Sequence, residues 1–229
     1  MIINNFNING ELWDKLRLCQ KESINVGLDY INKPYSDEIK SCLISLPTGA
    51  GKSGVIAVLC HQAIQKRILV LCHRRAVCDQ LILEVDGGFF SKMAVDDYTT
   101  RNTVFPKIYD TSENGIYIST FQKLQTLNEE ELTILKSNID LIIIDEGHSE
   151  PSPVWRTLVR GLKAHKIVIT ATPYRNDLFQ FDINGSSSFI YSFERALSDG
   201  ILCEPTFKTI EYDELKMSKI CRNVVNSVK

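Results

Sequence analysis

The sequence predicts a three-layer α/β fold with a mostly parallel sheet between helices, and three observations predict it. Short apolar runs recur along the 229-residue chain, separated by stretches of helical periodicity, the alternation that builds parallel sheets covered on both faces. The run Leu141-Ile142-Ile143-Ile144 is continuously apolar, as suits a strand buried on both faces. A glycine-bearing turn, Pro47-Thr48-Gly49-Ala50-Gly51-Lys52-Ser53, stands between an apolar run and a helical one, where open parallel sheets present their ligand sites.

Taken in order, the first predicted helix runs from Glu11 to about Ile31, with Leu12, Trp13, Leu16, Cys19 and Ile24 on roughly one face. Lys33-Pro34-Tyr35-Ser36-Asp37 ends it. A strand over 41–46 and a helix over 52–65 flank the glycine turn, followed by a strand over 67–72 and a helix over 74–85. The stretch from Gly87 to Asn114 is too long to lack structure, so a short strand is expected at Met93-Ala94-Val95. Next come a strand over 115–119, a helix over 120–136 broken near Asn128, and strands over 140–145 and 166–170. No repeat, low-complexity tract or Pro/Gly linker divides the chain. Residues 1–40 are therefore expected to join 41–207 in one domain, with 208–229 beginning a linker or a further domain.

With 26 basic and 28 acidic side chains the chain has no global field for a polyanion or a membrane surface, so any such contact must be local. Seven cysteines, an odd number mostly inside apolar runs, read as reduced core residues rather than a disulfide framework. A cytoplasmic setting is expected, or a nuclear one in a eukaryote. No segment approaches the length needed to span a bilayer, and no membrane partner is expected. Cys60-His61, Cys72-His73 and Cys78 mix two ligand types, but their spacings do not match paired zinc knuckles, so core packing is the better account.

The chemistry resides in two motifs. Glycines at 49 and 51 let the backbone turn tightly and aim its amides at phosphate oxygens at the positive end of the following helix. Lys52 is then placed to meet the β- and γ-phosphates and Ser53 to put its hydroxyl on Mg²⁺. After the Leu141–Ile144 run, Asp145 is assigned to the metal shell and Glu146 to the attacking water, the two tasks that triphosphate hydrolysis sets. The assignment requires the turn at 49–53 and the acid pair at 145–146 to lie at neighbouring strand tips.

With these residues in hand, the chain from about Leu16 to Phe207 resembles the first RecA-like P-loop domain of superfamily 2 DEAD/DEAH-type helicases, similar to those of restriction and repair translocases. Leu46 stands where the general phosphate-loop pattern has glycine; the family tolerates this, and classical P-loop kinases or GTPases do not. Leu16-Arg17-Leu18-Cys19-Gln20 resembles the family's adenine-reading element, which implies ATP as the nucleotide, with Arg17 beside it and Gln20 on the base edge. The resemblance also implies nucleic-acid contacts from His73, Arg74, Arg75 and Gln80, and from Ser119, Thr120, Phe121 and Gln122, where hydroxyls and a helix start can bond phosphates without net charge. Thr170, Ala171 and Thr172, with His148, resemble the coupling elements that report the phosphate state to the nucleic-acid face. Tyr191 to Leu202 resembles the helix and turn that close this domain, with Gly200 as its cap.

A complete motor of this type has two RecA-like domains, and nothing after Phe207 resembles the second. A truncated half is expected rather than a short subunit that borrows the missing domain in trans. Arginine fingers are worth roughly 10³ to 10⁵ in rate, so hydrolysis by this chain alone is expected to be close to background. The competing reading is a non-enzymatic, nucleotide-dependent module that recruits a partner; the water-orienting carboxylate argues against it. DNA is favoured over RNA by the resemblance.

Overall fold

The computed structural model describes residues 2–6, 8–95, 102–147, 153–173, 182–183 and 187–204, with backbone alone for 153–156. Seven strands are described: β1 (Cys42–Ser45), β2 (Arg67–Cys72), β3 (Val104–Phe105), β4 (Gly115–Thr120), β5 (Leu141–Ile144), β6 (His165–Thr170) and β7 (Phe189–Ile190). They form one sheet in the order β3-β4-β2-β5-β6-β1-β7, and every pairing is parallel. The expected mostly parallel sheet is thus parallel throughout its described strands.

Because successive side chains on a strand point to opposite faces, each central strand feeds two cores. Ile44, Ile68, Val70, Leu141, Ile143, Ile167 and Ile169 pack into one, together with the helices α1 (Gly10–Lys15), α2 (Leu18–Ile31), α3 (Lys52–Gln62), α4 (Arg75–Leu83) and α5 (Phe89–Lys92). Leu43, Leu69, Leu71, Ile142, Ile144 and Val168 pack into the other, under α6 (Phe121–Gln125), α7 (Glu129–Asn138) and α8 (Pro153–Arg160). The last described helix is α9 (Phe193–Ser198), which Ser192 caps and Gly200 ends in the left-handed conformation expected of it. No described helix is long and apolar enough to cross a membrane.

Two sequence expectations change. The single helix from Glu11 to Ile31 is two, because Leu16 and Arg17 are extended, at ψ 141° and 155°. Leu16 is buried all the same, so apolar periodicity runs through the break. The strand expected at Met93-Ala94-Val95 is instead the turn leaving α5: Ala94 N–H donates to Ser91 O at 3.0 Å, and Ala94 has φ 49°. Met93 and Val95 are apolar because they pack on the helical layer, and the edge strand lies later, where Val104 and Phe105 pair with Ile116 and Tyr117. The predicted break near Asn128 is present and has a cause: Asn128 caps α7, with Glu131 returning a bond to the Asn128 amide. Sequence reading did not foresee α8 or the two-residue β7.

Candidate nucleotide site and adjoining surface

Parallel pairing brings every strand's C-terminal end to one edge of the sheet. Register places Thr120 beside Cys72, Leu71 beside Ile144, Ile144 beside Val168, and Thr170 beside Ser45. The loop after β1 and the acid pair after β5 therefore share that edge. They are not at neighbouring tips, as the sequence reading required: β6 lies between β1 and β5. Their side chains meet across it nonetheless, with Lys52 Nζ 3.8 Å from Glu146 Oε1.

The loop carries the backbone that its glycines were expected to supply. Gly49 and Gly51 have φ +88° and +91°, a region that costs other L-residues roughly 1–2 kcal/mol, and a Cβ on Gly51 would sit 2.6 Å from Gln20 Nε2. The first turn of α2 holds three successive carbonyls of this loop. Arg17 Nη1 donates to Gly49 O at 2.8 Å, Cys19 Sγ to Ala50 O at 3.6 Å, and Gln20 Nε2 to Gly51 O at 3.1 Å. Burial pushes the Cys19 thiol pKa up, which keeps its proton in place for that bond. In a trans peptide the C=O and the following N–H point opposite ways, so carbonyls drawn towards α2 turn the Gly51 and Lys52 amides away from it, into the cradle. Ala50 N–H closes the turn on Pro47 O at 3.1 Å.

Gln20 is buried, and the structure gives its amide two protein partners: Nε2 on Gly51 O, and Oε1 accepting the Arg17 N–H at 3.0 Å. Arg17 and Gln20 are thus braces of the loop, a role that a base-reading motif does not announce. Cys19 is a loop-holding residue that the sequence reading missed, because a thiol on the apolar face of a helix reads as packing.

Asp145 is buried, and its N–H donates to Leu71 O at 2.8 Å, which pins the start of the turn after β5. Glu146 follows with φ +51°, an uncommon conformation for a side chain of its size and of the kind that gathers at functional sites. Gly147 is required next: a Cβ there would stand 2.2 Å from Val168 Cγ1. Ser53 on the first turn of α3 and the Asp145 carboxylate are hard oxygen donors, the set that suits a Mg²⁺ keeping water and phosphate oxygens in its shell. The residues present fit the group.

On the coupling elements, Thr170 is fully buried and its Oγ1 accepts the Thr172 N–H at 3.1 Å, while Thr170 O accepts the Leu46 N–H at 3.0 Å beside the loop. Ala171 is half-buried and Thr172 exposed. His148 lies outside the described residues.

Further along the same edge, Arg74, Arg75 and Gln80 are exposed at the start of α4, His73 is half-buried, and Gln122 is exposed. Two expectations are corrected here. The Phe121 side chain is fully buried in the second core, so it offers nothing to a surface ligand. The helix that it begins has five residues, too short for its dipole to matter, and its cap is Thr120, whose Oγ1 accepts the Lys123 N–H at 3.2 Å. The Thr120 hydroxyl proton stays available for donation, and Ser119 is buried beside it.

Fold and site together define a RecA-like ATP-binding domain of the helicase type. The chain belongs to the family described as "Type III restriction enzyme, res subunit", which matches residues 14–175. Among curated proteins it is similar to the "General transcription and DNA repair factor IIH helicase/translocase subunit XPB" of Dictyostelium discoideum, at 29% identity over 160 residues and 63% of this chain. It is also similar to "Helicase POLQ-like" of Caenorhabditis elegans, at 26% identity over 114 residues and 48% of this chain. The chain spans 19% and 12% of the lengths of these two relatives. Among solved structures, a nuclease-deletion mutant of the type ISP restriction-modification enzyme LlaGI, in complex with a DNA substrate mimic, aligns over 93% of this chain and 22% of its own. That match has a TM-score of 0.51 at 15% identity, a likeness of fold.

Proposed function

We propose that this chain is the ATP-binding part of a helicase or translocase that couples ATP hydrolysis to movement on nucleic acid, DNA in preference to RNA, and that a second RecA-like domain, in cis or in trans, completes it. The observation that carries this reading is the approach of Lys52 to Glu146, 3.8 Å apart, which joins a braced phosphate loop to a water-orienting carboxylate.

In this reading the Gly51 and Lys52 amides and the Lys52 ammonium receive the β- and γ-phosphates, and Ser53 and Asp145 hold Mg²⁺. The ion, when bound, neutralises charge that develops on the transferring phosphoryl group. Lys52 has two anions to serve. Moving its ammonium from Glu146 to phosphate frees Glu146 to orient water and accept its proton. Thr170, at the end of the strand between loop and acid pair, and Thr172 just beyond it would pass the change to the surface at Arg74 and Arg75. The preference for DNA rests on the relatives, one a subunit of a DNA repair factor and another held on a DNA mimic.

Thermal unfolding with and without Mg·ATP tests the base of the proposal. The native chain should gain a Mg·ATP-dependent rise in Tm, and Lys52→Ala should show none; identical behaviour of the two proteins overturns the nucleotide site. Phosphate release with single-stranded DNA and a supplied second domain tests the motor. Turnover there that Glu146→Gln abolishes supports it. Binding of Mg·ATP without turnover makes the chain a nucleotide-dependent recruiting module instead.

A further inference from the structure

The exposed sheet edge carries a cavity of about 390 Å³, lined in part by the motif residues Arg75, Ser119 and Thr120. Arg75 from α4, Lys107 from the segment between β3 and β4, and Lys123 from α6 converge on it, with the Thr120 hydroxyl at the same mouth. Asp79 is the one carboxylate among its lining residues. In a chain whose basic and acidic side chains nearly balance, three cations gathered around one hollow are a local anion site rather than a share of a general field.

Tyr109 forms the far wall. The residue is 43% exposed, and Lys123 Nζ stands 4.3 Å from its ring centroid, a cation–π contact that favours one orientation of the ring. Tyr109 also borders a second cavity, of about 450 Å³, with Phe105, Pro106, Tyr117, Asp110 and Glu113, and Lys107 lines both hollows. The two hollows differ in chemistry. The first, with three cations to one carboxylate, suits a phosphate; the second, with Phe105, Tyr109 and Tyr117 around two carboxylates and the shared Lys107, suits a flat, hydrogen-bonding group better than a phosphate.

We propose that Lys107, Tyr109 and Lys123 form a further contact for single-stranded nucleic acid: a backbone phosphate lies between the cations, and the adjoining base stacks against Tyr109. The inference rests on the proposed function and extends it to residues outside every motif read from the sequence. A duplex keeps its bases stacked on one another, so the Tyr109 wall selects for the single strand.

Fluorescence anisotropy of the full chain with a fluorescein-labelled, mixed-sequence single-stranded DNA, titrated at several salt concentrations, tests it. Lys107→Gln should weaken binding and lower the slope of log K against log salt by ~0.7, the value for one phosphate contact on a single strand. Tyr109→Ala should weaken binding by roughly 5- to 150-fold at every salt concentration, and Tyr109→Phe should restore it, since the ring and not the hydroxyl is at work. Lys107 is exposed and carries no core packing, so its variant keeps the test open if Tyr109→Ala unfolds. Native affinity in both Lys107→Gln and Tyr109→Ala, with Arg75→Gln still weakened, overturns this inference and leaves the proposed function standing. Equal affinity of the native chain for the matching duplex overturns the stacking contact. Absence of any DNA binding by the native chain at low salt overturns the proposed function and this contact with it.

Discussion

The sheet edge carries two halves built to different stiffness. Around β1, β6 and β5, each component of the nucleotide site is held by others: three loop carbonyls by α2, Asp145 by the end of β2, and Gly147 against Val168 with no room for a methyl group. Around β2 and β4, by contrast, Arg74, Arg75, Gln80 and Gln122 stand exposed on short helical starts. A site that must hold reacting oxygens to a fraction of an ångström needs its groups fixed beforehand. The proposed nucleic-acid surface, which would grip one strand and then its neighbour, is served by long, solvated cations whose contacts form and break at low cost.

Substitutions test the contrast. The largest effect is expected from Gly147→Ala, where the added methyl meets Val168: overpacking should cost about 1–3 kcal/mol in urea unfolding and should also diminish the Mg·ATP-dependent rise in Tm. An unchanged midpoint would show that the acid turn is looser than described. Gln20→Ala comes next, at about 1 kcal/mol or somewhat more, because it removes the bonds to Gly51 O and the Arg17 N–H inside a buried site. Its effect on the Mg·ATP response should exceed its effect on stability.

A more gradual change is expected with pH. His61 on α3 and His165 on β6 both have their pKa lowered, first by burial, and both belong to elements of the stiff half. They are held neutral in the fold and gain protons on unfolding. Their contribution is therefore complete above the unfolded value of about 6.5 and is lost as pH falls through the lower folded values. A Tm that declines from about pH 7 to about pH 5, and declines less in His61→Gln, checks the sign. The smallest effect belongs to the other half: Arg74→Gln should move stability by no more than about 0.5 kcal/mol while weakening DNA binding.

The stiff half was also the more legible half in the sequence. The glycines at 49 and 51 and the acid pair at 145 and 146 announce themselves because few residue types satisfy their backbone and chemical demands. The brace was not legible: Cys19 looks like any core residue, and the break at Leu16 leaves the apolar period intact. Strand order was out of reach as well. A run of four apolar residues shows that a strand is central without saying which strand is its neighbour, so β6 between β1 and β5 had to be seen. On the looser half, Phe121 was misread because a resemblance carries over a position without saying which way its side chain points. Lys107 and Tyr109 were passed over because their segment matches no motif and has no period.

With all the described strands running one way, the start of each falls on the opposite rim of the sheet, away from the glycine loop, the acid pair and Arg74 and Arg75. Lys66, just before β2, is exposed there. That rim is the place for a fluorophore or a surface tether, since a probe fixed at Lys66 can report on the whole body while leaving the working edge unencumbered.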